Sequence, residues 1–423
     1  MESPALSTRA VPALPYMHAR GGVRLRSSLV ISMCLCASVV SLFGCQAGAP
    51  VAQPIRAIWV TRFDYKTPQD VTRIMDNCAH AGFNTVLFQV RGNGTAFYRS
   101  SLEPWADELG GQDPGWDPVA AATREAHARH LELHAWVNVL PAWRGTKPPD
   151  NPDQLYNSRP EWFWYDQRGD RQPLSSFYVS LNPCRSDVRA YLVEVFRDLV
   201  SRYDLDGLHM DYIRFPNEPP ATPRGSGLDY PRDAHTLSLY KEATGLVPDE
   251  NPDTWNQWRT EQVTRLVADI HEMMTQTKPE AVLSASVGSV RENGLKHFQD
   301  GQAWIERGLI DVVFLMNYTD SPAQFAERIE PWLTAAREVP IVPGLWFGRH
   351  RDESVAEAAE AVRKQIAIAV EKTGDFCLFS YAGLFDSADE TELAKQTEEQ
   401  RLARQTRREI LLPYITQLAG SDR

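Results

Sequence analysis

Between about residues 56 and 390 the spacing of apolar and polar positions switches repeatedly between a period of two and a period of about three and a half. The period-two runs are rich in β-branched and aromatic residues and are closed by turn residues. They predict strands at 56–63, 85–90, 132–140, 207–214, 282–288, 311–318, 341–347 and 376–381. Helical spacing predicts helices at 69–81, 117–129, 187–202, 256–277, 299–306, 323–337 and 354–371, several opened by Asp, Ser or Pro in capping positions. An eightfold alternation of this length predicts an α/β fold of the TIM (β/α)8 barrel type, since a doubly wound sheet does not need so many units. Beyond residue 390 a Glu/Gln/Arg-rich stretch with helical spacing reads as the eighth helix and a final solvated helix. The expected layout is a barrel over 55–390 followed by a C-terminal helical extension over 391–423.

Two connections are too long for plain loops, and both leave the C-terminal end of the barrel. After strand three, 141–180 carries Trp143, Trp162, Trp164 and Tyr165 around Asp166-Gln-Arg-Gly169, the pattern of a small hairpin. After strand four, 217–254 is rich in Pro, Gly and Asp. Long loops at that end of a barrel build a substrate cleft or a structural cover.

The fourth strand places Gly207, His209, Asp211 and Ile213 on one face, and Pro216 stiffens its exit. An inward carboxylate on a core strand needs a partner or a function, which makes Asp211 the first candidate. Asp206 reads as a cap on the turn before the strand.

Charge and the first residues add compartment and partner. The chain carries −11, and residues 1–45 hold four arginines against one glutamate, so the remainder carries −14. That surface disfavours nucleic acid and anionic membrane. Arg20, Arg24 and Arg26 precede a short apolar run that ends in Leu42-Phe43-Gly44-Cys45, which resembles a bacterial lipobox. A start at Met17 suits the same segment as well as Met1. The expectation is a signal peptide over 1–45, lipidation at Cys45, a linker over 46–54 and a monomer held to the membrane by its lipid. Gln46 in place of aspartate implies, by the same resemblance, the outer membrane, facing the periplasm. Cys78, Cys184 and Cys377 then remain, an odd number without metal-ligand spacing. Buried free thiols are expected, with a single Cys78–Cys377 bridge as the alternative.

At the strand exits stand Arg62 and Asp64, Gln89, Arg91 and Asn93, then His134, Trp136 and Asn138. The later strands add His209, Asp211 and Arg214, then Ser286, Tyr318 and Asp320, Trp346, and finally Tyr381 and Asp386. Asp64, Ser286 and Asp386 read as turn or barrel-layer residues. His134, His209 and Asp211 could serve a metal, but no HxH lies on strand one and no second histidine pair exists, so no metal or other cofactor is expected. No G-x-S-x-G elbow supports serine chemistry. Paired carboxylates, or one acting with a substrate amide, together with aromatic platforms point to glycoside hydrolysis.

The runs Arg56-Ala-Ile-Trp59, Gly82-Phe-Asn-Thr-Val-Leu-Phe-Gln89-Val-Arg91, Leu102-Glu-Pro-Trp105, Leu131-Glu-Leu-His134-Ala-Trp136-Val-Asn138, Leu181-Asn-Pro183 and Tyr203-Asp-Leu-Asp-Gly-Leu-His-Met-Asp211 carry a resemblance over roughly 55–350. The chain resembles the bacterial glycosyl hydrolase-like family 10 lipoproteins, which include an enzyme acting on denuded peptidoglycan strands. Usual members double the aspartate at position 211, whereas Tyr212 follows here. A weaker similarity to family 18 chitinases lies in D-G-x-D-x-D-x-E, whose last three functional positions fall on His209, Asp211 and Ile213, and in M-x-Y-D against Met316-Asn-Tyr318 with Asp320 displaced by one. Ile213 cannot protonate a leaving group, so Asp211 takes that role. These resemblances imply an envelope glycosidase acting on an N-acetylated glycan, with Asp211 as acid and Asp320 as its partner. Arg91, His134, Asn138, His209, Arg214, Tyr318, Trp143 and Trp346 are the expected sugar-binding residues. The rival expectation is a non-catalytic glycan-binding lipoprotein on the same barrel.

Overall fold

In the computed structural model, residues 53–215, 228–336, 338–350, 353–387 and 390–421 are described. Cys45, the signal segment, most of the linker and Pro216 lie outside them. The parallel strands β1 (Arg56–Val60), β2 (Thr85–Arg91), β3 (Glu132–Asn138), β6 (Gly207–Asp211), β7 (Val282–Gly288), β8 (Val312–Met316), β9 (Ile341–Trp346) and β10 (Phe376–Phe379) close an eight-stranded barrel. The first strand pairs with the last, Arg56 opposite Phe376, and the Ile55 amide donates to Asp375 Oδ1 at 2.6 Å. The TIM barrel expected from periodicity is therefore the fold. Most strands are shorter than their apolar pattern. β6 stops at Asp211 because Tyr212 turns into the left-handed region at φ 49°, a conformation that no sequence pattern signals.

Inside the barrel, Ala57, Leu87, Val312, Val342 and Cys377 pack with Trp59, Trp136 and Phe314. Gly344 admits the Trp59 indole, since a Cβ there would stand 2.8 Å from the ring. Gly207 does the same for His134 at 2.7 Å. Outside, the helices bury a continuous apolar layer against the strands. The expected solvated last helix instead packs. The 24-residue helix Glu398–Ser421 buries Leu411 and Ile415 and runs past Gly82 and the helix Val355–Thr373, filling the eighth helical position. Cys78, Cys184 and Cys377 are buried free thiols.

The connection after β3 folds as an antiparallel pair, β4 (Pro141–Gly145) and β5 (Ser175–Ser180), and Tyr165 bridges Arg171 across the turn at Asp166–Gly169. The connection after β6 carries an unexpected helix, Ala234–Thr244. The Arg232 amide donates to the Tyr165 carbonyl, and Trp164 packs on Phe215 and Tyr230, so the two connections lean on each other.

Candidate active site

Asp211 ends β6 directly opposite Asn138 at the end of β3. It is 7% exposed, and burial pushes its carboxyl pKa up, while the Arg214 charge pulls the other way. Tyr212, in its left-handed turn, points its amide back at Asp211 Oδ1 at 2.6 Å. Arg214 Nη1 forms an ion pair with that oxygen at 3.6 Å, too long for a good hydrogen bond, and has no hydrogen-bond partner among the described residues. The buried Trp136 indole N–H is near enough to lower the Asp211 pKa yet also lacks a hydrogen-bonding partner. Two buried donors thus lack a good acceptor among the described residues beside an acid of raised pKa, and buried donors are rarely left so unless something from outside completes them.

Aromatic rings wall this centre. Tyr318 stands 5.6 Å from Trp346 and 6.0 Å from Phe379, and Trp136 stands 6.5 Å from Phe379. Burial first, and then the Asp211 charge, drive the Tyr318 phenol well above its ordinary pKa, so it remains a donor. On the other side Tyr212 packs 5.2 Å from Tyr178, a residue that β5 delivers, and the Arg214 guanidinium lies 4.6 Å over the Tyr212 ring. Tyr178 accepts from Arg62 Nη2 at 3.2 Å, and Arg62 in turn pairs with Glu108 at 2.7 Å. Among the described residues no three His, Cys, Asp or Glu side chains converge as a metal would require.

Several expected sugar ligands sit elsewhere. Arg91 is fully buried. Its guanidinium is bound to Glu103 at 2.7–3.1 Å, reaches the Val139 carbonyl at 3.0 Å and also holds the Asn138 carbonyl. It staples the exits of β2 and β3 and is shut away from solvent. His209 is a barrel-layer residue. Nδ1 meets Ser284 Oγ at 2.9 Å, and Nε2 accepts from Trp59 at 3.2 Å and contacts Ser286 Oγ at 2.9 Å. Burial holds it well below its usual pKa, in the neutral Nδ1–H form that this network assigns. His134 packs over Gly207, four residues before the mouth of β3, roughly 13 Å from it at strand rise. Asn138 is at the centre, but its amide is committed to Gln89 and the Gly92 carbonyl. Trp143 is 8% exposed with its N–H on the Lys147 carbonyl, and Trp164 is core. Asp320 is exposed on the rim. Its charge acts on Arg328.

The structure brings Asp211, Arg214, Tyr318 and Trp346 together at the strand exits. Tyr178, Tyr212, Arg62 and Phe379 also stand around this centre and were not expected there, since loop folding alone brings Tyr178 in. The readings of Asp206, Asp64 and Ser286 as structural hold. Asp206 Oδ2 accepts from the Leu133 amide and lies 2.8 Å from His127 Nε2, Asp64 accepts from Thr61, and Ser286 binds His209. Ile213, at the chitinase acid position, lies in the core.

A closed parallel barrel with a buried carboxylate, unsatisfied donors and an aromatic wall at its strand exits is a glycosidase-type barrel. The chain belongs to the glycosyl hydrolase-like 10 family, whose model matches residues 54–364. Among curated relatives it is 27% identical over 309 residues to "Glycosyl hydrolase DigH" of Escherichia coli O6:H1, covering 62% of this chain and 65% of that one. It is 25% identical over 298 residues to "Glycosyl hydrolase YngK" of Bacillus subtilis, covering 63% and 54%. The match thus spans less than two thirds of either relative. The fold is also that of the PgaB (BpsB) glycoside hydrolase domain from Bordetella bronchiseptica, with TM-score 0.57, 14% identity and coverage of 84% and 99%.

Proposed function

We propose that the protein is a cell-envelope glycoside hydrolase that cleaves an N-acetylated glycan, with peptidoglycan glycan strands as its substrate class. The observation that carries this is Asp211, a buried carboxyl of raised pKa between the unsatisfied Trp136 and Arg214 donors. Asp211 gives its proton to the glycosidic oxygen as the C1–O bond breaks. With Asp320 out on the rim, the reaction runs through the substrate's own acetamido group. Its carbonyl oxygen bonds to C1 on the opposite face, and the Tyr318 hydroxyl orients it. Water then opens that ring while the Asp211 carboxylate takes the water's proton, so one acid serves both halves. Trp136 and Arg214 stabilise the charge that develops, and Tyr212 and Trp346 carry the flanking rings. The protein is held at the outer membrane, facing the periplasm, through Cys45.

The second reading, a glycan-binding protein without turnover, draws on Tyr212 standing where the family's usual second aspartate would be. Asp211→Asn decides between them on stripped glycan strands with products read by mass. Loss of a general acid lowers the rate by about 10²–10⁴ with binding kept. A folded Asp211→Asn protein that cleaves at the wild-type rate refutes the mechanism. Wild type that binds and never cleaves establishes the second reading.

A further inference from the structure

Between the loops that follow β2 and β3 lies a second small pocket of about 190 Å³. Trp105 and Trp143 form its aromatic side, Asp107, Asp150 and Asn151 its polar side, and Thr95 its floor. Its volume is room for several waters or a small polar group. Thr95 is 3% exposed, and its Oγ1 has no hydrogen-bond partner among the described residues. A buried hydroxyl left open at a pocket floor is a place for a ligand's polar group.

The charge of the pocket is one-sided. Partial burial, together with the charges of Glu108 and Asp150, raises the Asp107 pKa, as expected when carboxylates gather without a cation among them. Arg62, the nearby cation, is already committed to Glu108 and Tyr178. That same Arg62 ties the pocket to the catalytic centre, because Glu108 adjoins Asp107 while Tyr178 packs on Tyr212 beside Asp211. Acidic groups facing indole rings favour a cation, which the ring faces attract as well. They repel a carboxylate.

We infer that this pocket is a sugar subsite that selects a hexosamine ring bearing a free ammonium group, and that it excludes a ring carrying a carboxylate substituent. The inference rests on the glycosidase reading for its sugar and on Asp107, Asp150, Thr95 and the two tryptophans for its charge. Along a mostly N-acetylated glycan with occasional free-amine rings, such a pocket favours the register that seats a free-amine ring in it. A free amine on a peptide offers the same chemistry, so the test includes it.

The probes are a tetramer of β-1,4-linked glucosamine, its fully N-acetylated counterpart and a lysine-containing tetrapeptide, titrated by calorimetry at low salt into the full chain carrying Asp211→Asn, so that nothing is cut. The glucosamine tetramer is expected to bind about tenfold more tightly than the N-acetylated one, as two partly exposed carboxylates and an aromatic face allow. The preference should disappear in Asp107→Asn/Asp150→Asn, whose exposed positions leave folding intact, and should shrink at high salt. Equal affinities, a preference that survives the double substitution, or tight binding of the tetrapeptide alone would each overturn the assignment. Cleavage is a separate measurement. A protein that prefers the amine-bearing tetramer yet never cuts keeps the pocket and loses the hydrolase reading, while one that cuts N-acetylated glycan without any amine preference does the reverse.

Discussion

Replacing Arg91 separates a sugar ligand from a structural staple. Both Arg91 and Glu103 are fully shielded from solvent in their side chains, and the guanidinium makes its contacts to the Glu103 carboxylate and to carbonyls at the end of β3. Arg91→Ala leaves a carboxylate buried without its counter-charge and strands those carbonyls, a change that typically costs about 3–5 kcal/mol. At about 2 °C per kcal/mol for a large domain, the melting temperature falls by roughly 6–10 °C. Arg91→Met/Glu103→Leu removes both charges at similar volume and should recover most of that loss, because a buried ion pair adds little over packed apolar groups. Thermal unfolding of wild type and these two variants, with glycan binding of the folded fraction, is the assay. The reasoning fails if Arg91→Ala melts like wild type, or if it melts normally and loses glycan, which is what a direct sugar ligand would do.

Trp164→Ala should cost about 3–5 kcal/mol while glycan affinity is unchanged, since Trp164 packs on Phe215 and its N–H is held by the Leu181 carbonyl; unchanged stability with lost binding refutes this. Burial pushes Asp375 up to about 6, so between its unfolded value near 3.8 and about 6 the native state binds more protons than the unfolded chain, and stability falls as pH rises through that window. Asp375→Asn keeps an acceptor for the Ile55 amide, and its advantage over wild type should grow by up to about 3 kcal/mol between pH 4 and pH 7; parallel stability profiles exclude the effect. Cys45→Ala should release the protein from the membrane fraction and abolish incorporation of labelled lipid, and membrane retention without lipid labelling of the wild type would remove the anchor reading.

The barrel was legible because each strand keeps its own apolar period whatever its neighbours are, and Asp211 was legible because a carboxylate on a core strand is out of place. Arg91 and His209 were misplaced for one reason. A strand-exit position tells which end of the barrel a residue approaches, not whether partners such as Glu103 or Ser284 have already claimed its donors. Glu103 is 12 residues beyond Arg91 and Ser284 is 75 beyond His209, so neither pairing lies within a local pattern. Tyr178 reaches the centre through the β4–β5 pair, whose register depends on a folded loop. Tyr212 acts through a φ angle that its side chain does not advertise.

The seam where β1 meets β10 has a consequence for how the molecule is made. The strand that begins the barrel finds its second neighbour only in a segment synthesised some 320 residues later, with the Ile55 amide waiting for Asp375. Until that segment is available, β1 is an edge strand with one side unpaired, open to joining another chain. Contacts so distant along the polypeptide form late and slowly. The seam therefore closes only once the last strand is available, which makes the still open barrel, with one side of β1 unpaired, the species that chaperones and proteases can act on before folding is complete.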